Sequence, residues 1–343
     1  MKALVLEAYN NLVLREVPCP RPREDEILVR VRACGICGSD VHGLDGSTGR
    51  RIPPLVMGHE AAGEVVELGS AVSGPQTGAR VTFDSTVYCG ECRFCRSGRV
   101  NLCDRRQVIG VSCDEYRRDG AFAEYVCIPS RCIYDLPDGL GFEQAATVEP
   151  LSVAVHAVER VPLELDGSAL VAGAGMIGLL IVQLLRLRGF KRILVTDIDQ
   201  SRLALARELG ADEALDPSAD GFAARLDSLT GGRGVDAAFD AVGLDASVRT
   251  CVGALRKGGA LCLVGNLCPD VSLPLQKVVA RELTLYGSCA SSGEYPLCLD
   301  LLAGGSVRVD PLISATAPLE DGAAWFERLR KGDGKLIKVI LTP

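Results

Sequence analysis

The sequence predicts an α/β protein of two domains, an irregular β domain followed by a doubly wound parallel sheet. Three observations carry this. At 343 residues the chain is long for one core and suits two domains. Its first part runs in short β-like stretches broken by Gly and Pro, whereas from Leu151 short apolar strands alternate with helices. The first of those strands leads straight into a G-x-G-x-x-G turn.

The opening MKALVLE has one Lys, a short apolar run and an acid, and reads as a first strand rather than an export signal. Ile27–Val31, Ala61–Leu68 and Phe122–Ile128 read as further strands, with turns at Pro53-Pro54 and Pro137-Asp138-Gly139. In the second part, Ala169–Ala172 is a short buried strand followed by a glycine turn and an apolar helix ending near Arg188. Arg192–Thr196 is the next strand, and Ser201–Leu209 is an amphipathic helix closed by Gly210. Val235–Phe239 and Ala260–Val264 continue the rhythm of a parallel sheet covered on both faces. Beyond Ser288 the chain becomes helix-rich and is expected to return to the first domain.

Composition narrows the function. A chain 48% hydrophobic and 24% charged is an ordinary globular one. Its net charge of −7 lacks the basic field that nucleic acid or an anionic membrane surface requires. No apolar stretch approaches the roughly 18 residues of a membrane span. Fifteen cysteines in a large chain without an export signal read as metal ligands or free thiols in a reducing cytosol, so the expected location is cytoplasmic.

Gly173-Ala174-Gly175-Met176-Ile177-Gly178 follows a strand, opens a helix and precedes Asp197, the acid expected to end the second strand. Gly173 makes the tight turn, Gly175 lets backbone approach a pyrophosphate, and Gly178 lets helix pack on strand. The helix N-terminus then faces the phosphates. Asp197 is expected to accept hydrogen bonds from ribose hydroxyls and to repel a 2′-phosphate, favouring NAD over NADP, with Arg202 working the other way. Ile177, Val264, Gly265 and Ser288 are further candidates for coenzyme contact. The plain alternative is a sheet turn without a ligand.

Cys89, Cys92, Cys95 and Cys103 read C-x2-C-x2-C-x7-C, a spacing that can close a tetrahedral structural zinc site. Free surface thiols or an iron–sulfur cluster are the alternatives. The Arg-rich lobe around them has little core of its own, so metal should hold it together. A second set is scattered: Cys37, His59, Glu60 and Glu149, donors that suit a catalytic zinc with an open position. The residues alone leave open whether these four meet. His59 sits in an irregular setting that suits a ligand and His42 in a polar turn, whereas His156 in LSVAVHAV reads as packed on a helix. Cys34, Cys127, Cys262 and the other cysteines outside the two sets read as small buried hydrophobes.

CGICGSDVH, MGHEAAGEVVELG, the four-cysteine lobe, GAGMIG and RELTLYGS together resemble the zinc-containing medium-chain dehydrogenases, nearly end to end and in that family's order. Glu149 in VEPLS makes the chain most similar to the sorbitol and polyol dehydrogenase branch. The resemblance implies a GroES-like catalytic domain from 1–152 and 290–343 around a Rossmann coenzyme domain at 153–289. It implies that Cys37, His59 and Glu60 or Glu149 hold the catalytic zinc, and that Ser39 takes the alcohol proton and passes it through the nicotinamide ribose to His42. Asp40 would support the ligands. It further implies NAD-linked, reversible oxidation of a secondary alcohol and a homodimer or homotetramer.

Two departures bear on substrate. Aligned with that branch, Gly43 replaces an aromatic of the sorbitol pocket and Ala290 replaces a substrate-contacting arginine, which argues against sorbitol itself. Arg50-Arg51 and Arg117-Arg118 are expected near the pocket mouth, where a solvated surface is the first reading and a phosphate or carboxylate on the substrate the second. L-Threonine and butanediol are alternative substrates. A non-catalytic NAD-binding protein is the distant alternative, against which the intact ligands and the Ser39/His42 pair argue.

Overall fold

Alternation along Glu26–Gly35 sets up the first unit: Arg30 and Arg32 face out while Val29, Val31 and Ala33 are buried. The computed structural model describes residues 1–162, 166–332 and 336–343. This strand pairs antiparallel with Glu60–Leu68, Tyr125–Pro129 and Lys338–Thr342. With Arg80–Phe83, Ile133–Asp135 and Ile313–Pro318 they form a seven-stranded sheet. The core beneath it gathers Leu4, Leu6, Ile27, Val29, Phe83 and Phe122. Phe122 meets Phe326 edge to face, with ring centroids 5.6 Å apart. This unit comprises Met1–Ser152 and Ser291–Pro343.

The second unit, Val153–Ala290, is a six-stranded parallel sheet. Its order is Glu213–Leu215, Arg192–Thr196, Ser168–Ala172, Val235–Asp240, Leu255–Leu263, Thr284–Gly287. Leu170, Val171, Ile193, Leu194 and Val195 are wholly buried, as strands covered on both faces must be. Ser168–Ala172 is paired on both sides, by Arg192–Thr196 and by Val235–Asp240. The strand order therefore reverses beside its C-terminal end, where open α/β sheets take ligands.

Three expectations need correction. The strand anticipated at Phe122–Ile128 begins only at Tyr125, because Ala121 and Phe122 give their N–H groups to Gly58 and Met57, and Glu124 to Lys2. The tail has the helices Tyr295–Ala303 and Gly322–Lys331, but also the strands Ile313–Pro318 and Lys338–Thr342; a charged residue opening the last strand hid it. Cys34, Cys132, Cys251, Cys262 and Cys298 are buried, yet Cys19, Cys268 and Cys289 are exposed. No described helix is long and apolar enough to cross a membrane.

Candidate metal centre and coenzyme turn

Strand register builds the scattered set. Gly35 pairs with Glu60, so the chain leaving one strand at Cys37 passes the chain entering the next at His59. One ligand atom each from Cys37, His59 and Glu60 lies within 4.8 Å of the others. Gly35 makes this possible, since a Cβ there would lie 2.4 Å from Glu60 Oε2. Lys338, buried in the last strand, donates to Glu60 Oε2 at 2.5 Å and to the Ile36 carbonyl at 3.0 Å. Glu149, in the first turn of Val148–Glu159, lies outside the 4.8 Å set. Burial pushes its carboxyl up to about 7, with the charge on His59 opposing and that on Glu60 adding.

The set fits a divalent cation. Burial disfavours a charged His59, yet Asp40 and Cys37 outweigh it and draw its pKa well above the ordinary value. Soft sulfur, nitrogen and carboxylate donors together suit zinc. Behind His59 stands Asp40, fully buried, its Oδ1 3.5 Å from His59 Nδ1. Burial works against its charge, but His59 and Arg51 hold the carboxyl well below the usual range.

Arg51 corrects the surface reading of the arginine pairs. It is buried, and its Nε and Nη2 donate to Asp40 Oδ1 at 3.1 and 2.8 Å. Arg118 is committed too, to Glu26 Oε1 at 2.7 Å. Arg50 and Arg117 are exposed. Ser39 and His42 lie three residues apart on the short helix Gly38–Gly43, both exposed, on the spacing that makes helical residues neighbours.

In the lobe, Cys92 Sγ is 3.5 Å and Cys89 Sγ 3.9 Å from Cys95 Sγ. Four sulfurs each about 2.3 Å from one zinc lie about 3.8 Å apart, so the spacing suits the metal. Backbone N–H groups of Cys92, Cys89 and Arg105 point at the sulfurs of Cys89 and Cys103. Against burial, such donors draw Cys89 down to about 6, while burial and then Cys92 push Cys95 up to about 12. Ser292 ties the lobe down, accepting from Val100 N at 3.1 Å and donating to the Gly98 carbonyl at 2.7 Å.

In the second unit, Gly173 has φ +94°, and a Cβ on Gly178 would lie 1.8 Å from the Gly173 carbonyl oxygen. A Cβ on Gly175 would meet nothing within 4 Å, so the open side of the turn is the side a pyrophosphate needs. No side chain caps the twelve-residue helix Met176–Leu187 that follows, and Ile177 lies in its first turn. Asp197 accepts from Ala174 N at 2.7 Å and from Asp199 N at 2.9 Å, which fixes it against the turn. Arg202 stands on the next helix, its N–H donating to Asp199. Val264 and Gly265 both donate to the Asp240 carbonyl, and Ser288 donates to Leu263.

Comparison with known proteins agrees with this geometry. Residues 23–138 match the alcohol dehydrogenase GroES-like domain and residues 177–304 the zinc-binding dehydrogenase domain. The sorbitol dehydrogenase of Bacillus subtilis is 32% identical over 100% of this chain and 97% of its own. The chain belongs to the zinc-dependent medium-chain dehydrogenases. Within them it stands near the sorbitol branch and is an NAD-dependent alcohol or polyol dehydrogenase. The D-arabitol-phosphate dehydrogenase of Enterococcus avium is 34% identical over 97% of this chain and 94% of its own. The zinc-binding dehydrogenase structure from Sinorhizobium meliloti 1021, bound to NADP, superposes with a TM-score of 0.91 at 33% identity, covering 100% of this chain and 99% of that one.

Three residues of this dehydrogenase escaped sequence reasoning. Lys338 opens a strand that the sequence did not reveal, and its partner Glu60 lies 278 residues earlier. Asp240, wholly buried, accepts from Val242 and Gly243 and shapes the loop after its strand. Asp84, also buried, accepts from Thr86 N, and burial pushes its carboxyl up to about 7. An acid inside an apolar strand run was the available signal for the last two.

Proposed function

We propose that this enzyme oxidises a secondary hydroxyl of a polyol or sugar alcohol to the ketone, reversibly, preferring NAD to NADP. The observation that supports it most is the convergence of Cys37, His59 and Glu60 next to Ser39. Cys37, His59 and either Glu60 or Glu149 would hold the catalytic zinc; Cys89, Cys92, Cys95 and Cys103 would hold a structural one. When bound, the catalytic metal supplies a Lewis acid for the substrate oxygen and the nicotinamide supplies a hydride acceptor. Ser39 would take the alcohol proton, and His42, three residues on along the same helix, would release a proton to water. Asp40 keeps His59 oriented. Asp197 disfavours a 2′-phosphate by charge, and Gly173, Gly175 and Gly178 leave room for the pyrophosphate.

The named relatives support a polyol, one of them phosphorylated. Since Arg51 and Arg118 are bonded to carboxylates, Arg50 and Arg117 are the exposed members of the two pairs that a substrate phosphate would meet. A cytoplasmic homo-oligomer completes the reading. Fifteen cysteines, none in a disulfide, favour a reducing compartment, and exposed Leu275 and Val279 on one short helix favour a partner surface. The test follows NADH absorbance at alkaline pH with polyols, phosphorylated polyols, threonine and butanediol, NADP in parallel, and a Cys37→Ala control. Turnover of a polyol with NAD, lost in the control, is expected. Turnover confined to threonine or butanediol would overturn the polyol assignment.

A further inference from the structure

We propose that Arg51 is a positioning residue for Ser39 and that Gly43 is the space that lets it take up that position. This rests on the reading of Ser39 as the group that accepts the alcohol proton. Ser39 is exposed on a six-residue helix, where a serine hydroxyl ordinarily samples several rotamers. Arg51 Nη2 lies 3.3 Å from Ser39 Oγ and donates to it. The guanidinium itself is fixed: Nε and Nη2 donate to Asp40 Oδ1, and Nη1 donates to the Arg50 carbonyl at 2.9 Å. Its backbone is fixed as well, bridged to Ser112.

A hydroxyl has two acceptor positions and one proton. With one acceptor position filled by Arg51, the other is left for the substrate hydroxyl and the proton is left to be passed on. The guanidinium is not an open anion receptor, because Asp40 takes its charge in two hydrogen bonds. Its contribution is direction, and a planar fork supplies it where a lysine ammonium cannot bond Asp40 twice and reach Ser39 as well.

Gly43 couples to this arrangement by volume. A Cβ there would lie 2.4 Å from Arg51 Cγ and 3.3 Å from Arg51 Cβ. The clash falls on the root of the side chain, close to a bridged backbone, where the arginine cannot swing aside and keep both partners. Any side chain at 43 therefore displaces the guanidinium from Asp40 and Ser39. The residue at 43 and the arginine at 51 act as one unit.

The test uses the full-length, zinc-loaded enzyme with NAD and whichever of sorbitol, xylitol, D-arabitol or 2,3-butanediol it oxidises best. Arg51→Lys, Gly43→Ala, their double variant and Ser39→Ala are compared by kcat, KM, zinc content and the crystallographic rotamer of Ser39. Each of the first two is expected to lower kcat about 10- to 100-fold, with KM within about threefold and zinc content unchanged. Ser39 should leave its wild-type rotamer in both. The double variant should be no slower than Arg51→Lys, since Gly43→Ala acts only through Arg51. Wild-type kcat in Arg51→Lys, multiplying effects in the double variant, or loss of zinc in either single variant would overturn the proposal. An active Ser39→Ala removes the relay reading and this inference together. An inactive Ser39→Ala beside a fully active Arg51→Lys removes the inference alone.

Discussion

The Cys37 centre mixes thiol, imidazole and carboxylate where the Cys89 lobe offers four thiols, and the two reverse the relation between metal and fold. The lobe draws four thiols from fifteen consecutive residues, three of them half-exposed, with only a four-residue helix and a three-residue turn between them. Its metal would supply the cohesion that a core supplies elsewhere. The Cys37 set lies at the end of a seven-stranded sheet, and its ligands are held by Asp40, Arg51 and Lys338. There the sheet and its buried ion pairs make the geometry, and a metal would enter a finished site. One metal would keep a loop folded; the other would be kept in place by a fold.

This contrast breaks most plainly under substitution. Cys37→Ala should lower turnover by about a thousandfold or more, since Lewis-acid stabilisation amounts to several kcal/mol, while the melting temperature stays near wild type. Cys95→Ser should do the reverse, costing several kcal/mol of stability and leaving turnover per folded molecule close to normal. Calorimetry beside NADH assays checks both, and a large melting shift in Cys37→Ala would erase the distinction.

Asp84 sharpens it from the turn between Arg80–Phe83 and Thr86–Val87, on the way into the lobe. Its folded carboxyl titrates at about 7 against an ordinary 3.8, so the folded state holds an extra proton between those values. Stability therefore falls as pH rises from about 4 to about 7 and stays lost above that. Asp84→Asn keeps an acceptor for Thr86 N and removes the cost, so its advantage over wild type should grow across that window to at most about 4 kcal/mol. Urea melts at pH 5 and pH 8 measure it; equal differences at both would show that burial does not set this carboxyl.

The smallest effect tests how the fold holds the centre. Lys338→Met leaves Glu60 buried without its partner, at a cost of about 3 kcal/mol. A metal that accepts Glu60 would offset part of that, so zinc-loaded protein should lose less than protein stripped with a chelator. Equal losses would mean that Glu60 stays off the metal.

The two regions also differ in how legible they were. The lobe could be read directly, because its ligands are spaced by a few residues and local chain geometry does the rest. The glycine turn was equally plain, since a strand, a turn and a helix follow one another in sequence. The convergence of Cys37 with His59 and Glu60 depends on the register of Gly35 against Glu60, which only the packed sheet fixes. Arg51 read as one member of a surface pair because its partner Asp40 lies eleven residues away, past a turn. Lys338 was beyond reach, its partner lying 278 residues earlier. Local spacing shows in sequence, and long-range pairing does not.

Lys338 also sets an order of events during synthesis. The four cysteines of the lobe leave the ribosome long before Lys338 is made, and they can take up metal as soon as they emerge. The other centre has no such option: the lysine that pairs with Glu60 is made 278 residues after it, in the strand Lys338–Thr342. A polypeptide terminated before Lys338 could therefore carry a loaded lobe beside an unfinished Cys37 set. Chemistry would begin only once the strand Lys338–Thr342 has been made and has paired.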